Sequence, residues 1–222
     1  MSTPIASASS FQQQLDATAQ HLAAALPASA SHTIDAGIAE VHAAGLARHS
    51  LITGQPAPDF TLPDANGQPV TLSHLLAAGP VVLVFYRGNW CPYCNVQLRA
   101  YNQVLANFKA LNATLVAVSP QTPDLTSLTA EEKELQFPVL SDAGNAVAKQ
   151  FGLAYQVGDA VYGTLHGVGI DLEVYNGDRS GELPLTGTFV IAQDQTIVWA
   201  DTKANFKQRP DPALLLEALA KL

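Results

Sequence analysis

Sulfur is scarce in this chain, with two cysteines and one methionine among 222 residues. Two cysteines cannot build a disulfide framework, and without a second ligand pair they do not complete a structural zinc site. Basic residues are sparse as well: 11 Lys and Arg stand against 19 Asp and Glu, giving a formal net charge of −8, and nowhere do they cluster. This excludes nucleic acid as a partner, because phosphate neutralisation supplies most of that affinity. The longest strongly apolar run, Val81 to Tyr86, is far short of the ~20 residues needed to cross a bilayer. No Lys or Arg precedes Arg48, so the basic start of a secretory signal is missing and the expected location is a reducing, cytoplasmic one.

What is present is an ordinary globular composition, 48% hydrophobic and 14% charged, which excludes a disordered chain or a coiled coil. A chain of this length buries roughly 70% of its extended surface on folding, enough for one core without staples. Residues 1–50 read as an accessory helical extension: Phe11, Leu15, Thr18, Leu22 and Leu26 recur at helical spacing, and Ile34, Ile38, Val41, Ala44 and Leu46 nearly do so after Pro27. The main domain, 51–222, opens with Pro56, Pro58 and Pro63 and an Asn66-Gly67 turn. Val81 to Tyr86 reads as a central strand buried on both faces. One long helix follows, carrying Leu98, Tyr101, Leu105 and Phe108, with Pro92 in its first turn. Thr114 to Val118 and Phe137 to Leu140 read as further strands, Pro123 to Leu135 as a helix, and Ala143 to Phe151 as a helix capped by Asp142. Gly187 to Ala192 and Thr196 to Ala200 form a hairpin, and Asp211-Pro212 starts a last helix. The glycine-rich stretch from Gly152 to Leu183 is expected to be loops and a short helix. The fold class is α/β, a mixed central sheet flanked by helices.

Both cysteines lie in one segment, Trp90-Cys91-Pro92-Tyr93-Cys94, where the central strand hands over to a helix. A helix start favours a thiolate on the first cysteine, and Arg87 adds a positive charge nearby. Cys94 follows one turn later, about 5–6 Å away between Cα atoms, within disulfide range. Inert buried cysteines and a zinc knuckle are the competing readings, but both cysteines sharing one CxxC at a strand-to-helix junction favours redox chemistry. The six histidines show no close metal-type spacing, so no metal is expected; His42 and His49 read as a solvated or packed pair.

Pro58-Asp59-Phe60, the stretch VLVFYRGNWCPYCNVQL from Val82 to Leu98, Gly187-Thr188-Phe189-Val190-Ile191 and the ending from Asn205 to Pro212 together resemble the peroxiredoxin-like branch of the alkyl hydroperoxide reductase/thiol-specific antioxidant family. The resemblance covers about residue 50 onward and implies a thioredoxin-like fold. It also implies that Cys91 attacks a hydroperoxide to become a sulfenic acid and that Cys94 resolves it as a disulfide. Thioredoxin or a glutaredoxin-type dithiol would then restore the thiols, with no cofactor. The chain departs from the family pattern twice. Gly88 stands where a Thr or Ser is usual, three residues before the first cysteine, and Leu185-Thr186 stands where an Arg is usual. Arg87 is then the nearby residue suited to hold peroxide. Thr186 falls where thioredoxin-like folds commonly place a cis-proline facing the redox pair, so its hydroxyl either touches Cys91 or only packs. Trp90, Tyr93 and Tyr86 are candidates for the pocket wall; Asp59 and Glu182 read better as solvated carboxylates than as proton carriers. Two other functions stay open: thiol-disulfide exchange on protein or glutathione disulfides, and a redox-sensing module whose N-terminal helices hold a partner. Pairing of two copies as a homodimer is also left open.

Overall fold

The computed structural model of the protein describes residues 10–222. Two helices open it, α1 (Phe11–Ala25) and α2 (Ala28–Ala43), followed by a 3-10 turn at Leu46–His49. Ser10 and Gln13 form a reciprocal cap on α1, while α2 begins directly after Pro27, six residues before the apolar spacing becomes visible at Ile34. A hairpin follows, β1 (Thr61–Pro63) and β2 (Pro69–Thr71), turned at Asn66-Gly67 with the Asp64 carboxylate accepting from the Asn66 and Gln68 amides at 2.8 Å each. Helix α3 (Leu72–Ala78) leads into the first central strand, β3 (Val81–Phe85).

Helices α4 (Pro92–Gln103) and α5 (Leu105–Ala110) replace the single long helix expected there. The backbone breaks at Val104, yet Leu98, Tyr101, Leu105 and Phe108 stay buried on one continuous face. Next come β4 (Thr114–Ser119), α6 (Pro123–Glu132) and β5 (Val139–Ser141). Asp142 caps the following helix, α7 (Ala146–Gln150), across an inserted left-handed turn in which Gly144 has φ 78° and Asn145 φ 57°. Its carboxylate accepts from the Val147 amide at 2.9 Å and the Ala148 amide at 2.8 Å. Asp142→Ala leaves these buried N–H groups unpaired, so a loss of about 1–2 kcal/mol is expected in urea unfolding, with an unchanged slope.

The stretch from Gly152 to Leu183 is more ordered than expected. It holds β6 (Ala154–Gln156), α8 (Asp159–Gly167), α9 (Leu172–Asn176) and β7 (Glu182–Pro184); β6 and β7 pair antiparallel at its base. The local signals were caps. Asp171 accepts from the Glu173 amide at 3.0 Å, and Gly177, at φ 74°, closes α9 in the left-handed conformation that glycine tolerates. Val157, Leu165, Leu172 and Leu183 give this unit its own small core. Strands β8 (Thr186–Ile191) and β9 (Ile197–Lys203) and helix α10 (Pro212–Leu219) complete the chain.

The central sheet runs β5-β4-β3-β8-β9, with β3, β4 and β5 parallel and β8 and β9 antiparallel to their neighbours. Strand side chains alternate between faces. Val82, Val84 and Tyr86 therefore enter one core with Leu98, Tyr101 and Phe108, while Val81, Leu83 and Phe85 enter another with Leu72, Leu76, Phe151 and Phe189. Both faces are covered, which is why β3 shows no polar alternation. The N-terminal helices lie on this domain: Phe11 and Leu15 of α1 are buried against the α4 face, and α2 crosses α8 so closely that a Cβ on Gly37 would lie 2.4 Å from Val161 Cγ2. Among the described residues, no helix is long and apolar enough to cross a membrane.

Candidate active site

Six residues, Tyr86 to Cys91, link the end of β3 to α4, and the site is built around them. Tyr86 continues the strand, accepted by Val118 O through its amide at 2.9 Å. Gly88 then turns the chain at φ 148°. A Cβ at Gly88 would lie 2.4 Å from Trp90 Nε1, so the indole occupies the space that a Thr or Ser side chain would need. In this backbone, Gly88 and the Trp90 indole fit each other, and a Thr or Ser at 88 would be both crowded and strained. The Cys91 amide donates back to Gly88 O at 3.1 Å, and Cys91 becomes the N-cap of α4, with Pro92 at N1.

Both cysteines are free thiols and both are buried, Cys91 at 1% exposure and Cys94 at 0%. They differ in access: Cys91 lines a cavity of about 200 Å³, whereas Cys94 does not reach it. A guanidinium that no local pattern marked gathers the pair. Arg209 Nη2 lies 3.3 Å from Cys94 Sγ and 3.9 Å from Cys91 Sγ. Arg209 is itself buried and held from two sides, with Nε donating to Phe206 O at 2.8 Å and Nη1 to Gln97 Oε1 at 3.1 Å. Gln97 is fixed in turn, its amide 3.2 Å from both the Tyr101 hydroxyl and Thr188 Oγ1. The residue lies 115 positions from Cys94, and its only sequence trace is its place in the Asn205–Pro212 ending.

The electrostatics reverse the expectation for the first cysteine. Burial pushes the Cys91 thiol well up, helped by the hydrogen bond it shares with Cys94 and by the charge there. Cys91 gains no side-chain cap bond, and Pro92 has no N–H to offer. Burial also opposes ionisation of Cys94, but the bond from Cys91, Arg209, the Arg87 backbone and the Arg87 charge outweigh it, holding that thiol well below its usual range. Within the pair, ionisation is therefore favoured at Cys94 over Cys91.

Arg87 is 3% exposed, packed with its Cζ 3.9 Å from the Phe206 ring centroid and 4.8 Å from that of Trp90. Its Nε is buried without a hydrogen-bond partner. Among the described residues, neither Arg87 nor Arg209 forms an ion pair with a carboxylate. Both charges act on the cysteine pair instead, and Arg87 is also stacked on two rings. Arg87, Trp90, Cys91, Tyr93 and Phe206 all line the cavity. Thr186, by contrast, sits in β8 opposite Lys203, with its buried hydroxyl unpartnered and no hydrogen bond to either sulfur. Its neighbour Leu185 belongs to the core on the other face of the sheet. Tyr86 is fully buried in the α4-side core. Asp59 caps α3, accepting from the Ser73 amide at 2.9 Å, and Glu182 pairs with Lys149 at 2.7 Å; neither lines the cavity.

The family model described as AhpC/TSA matches residues 53–200. A putative peroxiredoxin of Mycobacterium tuberculosis is 38% identical over 101 residues, 46% of this chain and 66% of that protein. The chain therefore spans just under two thirds of that relative. A chloroplastic peroxiredoxin Q of Triticum aestivum is 30% identical over 176 residues, 76% of this chain and 79% of that one. Among solved structures, peroxidoxin BcpB from Mycobacterium tuberculosis superposes with a TM-score of 0.61 at 27% identity, covering 78% of this chain and 98% of that one. Peroxiredoxin Q of Xanthomonas campestris shares the fold, at a TM-score of 0.56 and 19% identity over 73% of this chain and 90% of that one. With two thirds of its length matched by the family model and a CxxC pair at the strand-to-helix junction, the chain belongs to the AhpC/TSA family, on a thioredoxin-like fold.

Proposed function

We propose that the protein is a thiol-dependent peroxidase reducing hydrogen peroxide or organic hydroperoxides, with Cys91 as nucleophile and Cys94 as resolving thiol. The observation that carries this reading is the Cys91 sulfur lining a cavity with the buried Arg87 guanidinium, whose Nε has no hydrogen-bond partner, and a second thiol under Arg209 behind it. The Cys91 proton passes to the Cys94 thiolate. The Cys91 thiolate then attacks the terminal peroxide oxygen: an S–O bond forms, the O–O bond breaks, and the leaving oxygen takes the proton from Cys94 to depart as water or alcohol. Negative charge develops on that oxygen, and Arg87 is the fixed cation available to meet it. The regenerated Cys94 thiolate attacks the sulfenic sulfur, an S–S bond forms, and hydroxide leaves and is protonated by solvent. An external dithiol, thioredoxin or glutaredoxin in type, reduces the disulfide by exchange, in keeping with a reducing cytoplasmic setting.

Rapid mixing of the reduced protein with hydrogen peroxide and with cumene hydroperoxide tests this. Oxidation of Cys91 at least about 10²-fold faster than free cysteine is expected, the range ascribed to positioned acid–base and oxyanion groups. A rate equal to that of free cysteine, together with turnover of insulin or glutathione disulfide, would transfer the assignment to thiol-disulfide exchange.

A further inference from the structure

The span matched by the family model begins at residue 53, yet much of the cavity over Cys91 is built by residues before it. Ala19, Leu22 and Ala23 of α1, with Leu26 at its C-cap, stand at spacings of three and four, presenting one stripe to the cavity, and Ile34 of α2 adds to it. Across from them α8 contributes Leu165. Lys207 and Asp35, joined as an ion pair, stand at the rim, so this charge is spent on holding α2 to the segment after β9 rather than on a ligand. Inside, Arg87 lines the same cavity as Cys91, with its guanidinium stacked on Phe206 and Trp90 and its Nε lacking a hydrogen-bond partner. The chamber is thus apolar between an ion-paired rim and a polar end, where the reacting sulfur lies.

Resting on the peroxidase reading, we propose that the N-terminal helical pair and α8 form a substrate chamber selecting hydroperoxides that carry one compact apolar group, over hydrogen peroxide. Size supports this class: an apolar cavity of ~150 Å³ accommodates benzene, and this one is about 200 Å³. The apolar group occupies the space between α1 and α8, and the O–O bond lies at Cys91 and Arg87. The alkoxide then leaves as the alcohol after taking the proton held by the cysteine pair. Cutting off the helical pair would therefore change which peroxide is used.

Ala19 and Ala23 are exposed alanines at the chamber mouth, so larger side chains there narrow it without entering a core. For Ala23→Trp, and separately Ala19→Trp, the ratio of kcat/KM for cumene hydroperoxide to that for hydrogen peroxide is expected to fall about tenfold, the scale of losing a snug apolar contact. A second readout does not depend on turnover. The product alcohol, 2-phenyl-2-propanol, should shift the amide resonances of Trp90 and Leu165 in the reduced protein, and do so far less in Ala23→Trp. A ratio unchanged within twofold in both variants, or no shift at Trp90 and Leu165, overturns the chamber. Absence of peroxide turnover with either substrate, while the alcohol still binds, overturns the peroxidase reading instead.

Discussion

Cys91→Ser is expected to lower peroxide turnover by about 10⁴-fold or more, the scale seen when a covalent nucleophile is removed, whereas Cys94→Ser keeps one oxidation event per chain and loses recycling. The two sulfurs are coupled, with ionisation favoured at Cys94, but of the two only Cys91 reaches the cavity. With Cys94 replaced, the thiolate facing Arg209 has to be Cys91, 3.9 Å away, so its ionisation becomes easier than in the native pair. A single burst of one equivalent, and a sulfenic acid on Cys91 trapped by a dimedone-type reagent and read by mass spectrometry, is the expected outcome. Equal loss in both variants with no trapped species contradicts the order of attack.

Arg209→Met is expected to slow peroxide-driven thiol oxidation at pH 7 by about 10²-fold, in line with removal of one fixed charge-stabilising donor. The sign follows from the charges. Arg209 favours the ionised pair, so its loss raises the pKa of the first ionisation; an adjacent cation typically depresses an acid by about 1–3 units. The rising limb of the rate against pH should therefore move to more alkaline values by that amount, and activity should recover as pH increases. Arg209→Lys should shift it less, because an ammonium keeps the charge but not the fork that bonds Gln97 and the sulfurs together. A profile that falls in height but does not move along the pH axis would mean that Arg209 only packs, and thermal unfolding of the same variants separates that case from a loss of fold.

The α/β order, the five central strands, the CxxC at the junction and the helix starts at Pro92, Pro123 and Pro212 were legible in local pattern. Buried strands announce themselves as runs such as Val81–Phe85, and proline marks first turns. The breaks were not legible. Val104 interrupts a helix whose apolar face continues unbroken, and the pairing of β6 with β7 joins segments separated by two helices. Caps at Asp171 and Gly177 were there to be read, but a high glycine content obscured them.

In the site itself, sequence determined which sulfurs exist, their spacing of one helical turn and the junction that holds them, because these depend on neighbours along the chain. Only tertiary structure decided which sulfur ionises more readily and which is reached from outside. Those properties arise from groups distant in sequence: Arg209 brought to Cys94, the Trp90 indole filling the space beside Gly88, and the N-terminal helices roofing Cys91. Electrostatic fields and solvent exclusion depend on distance through space, which local pattern does not encode.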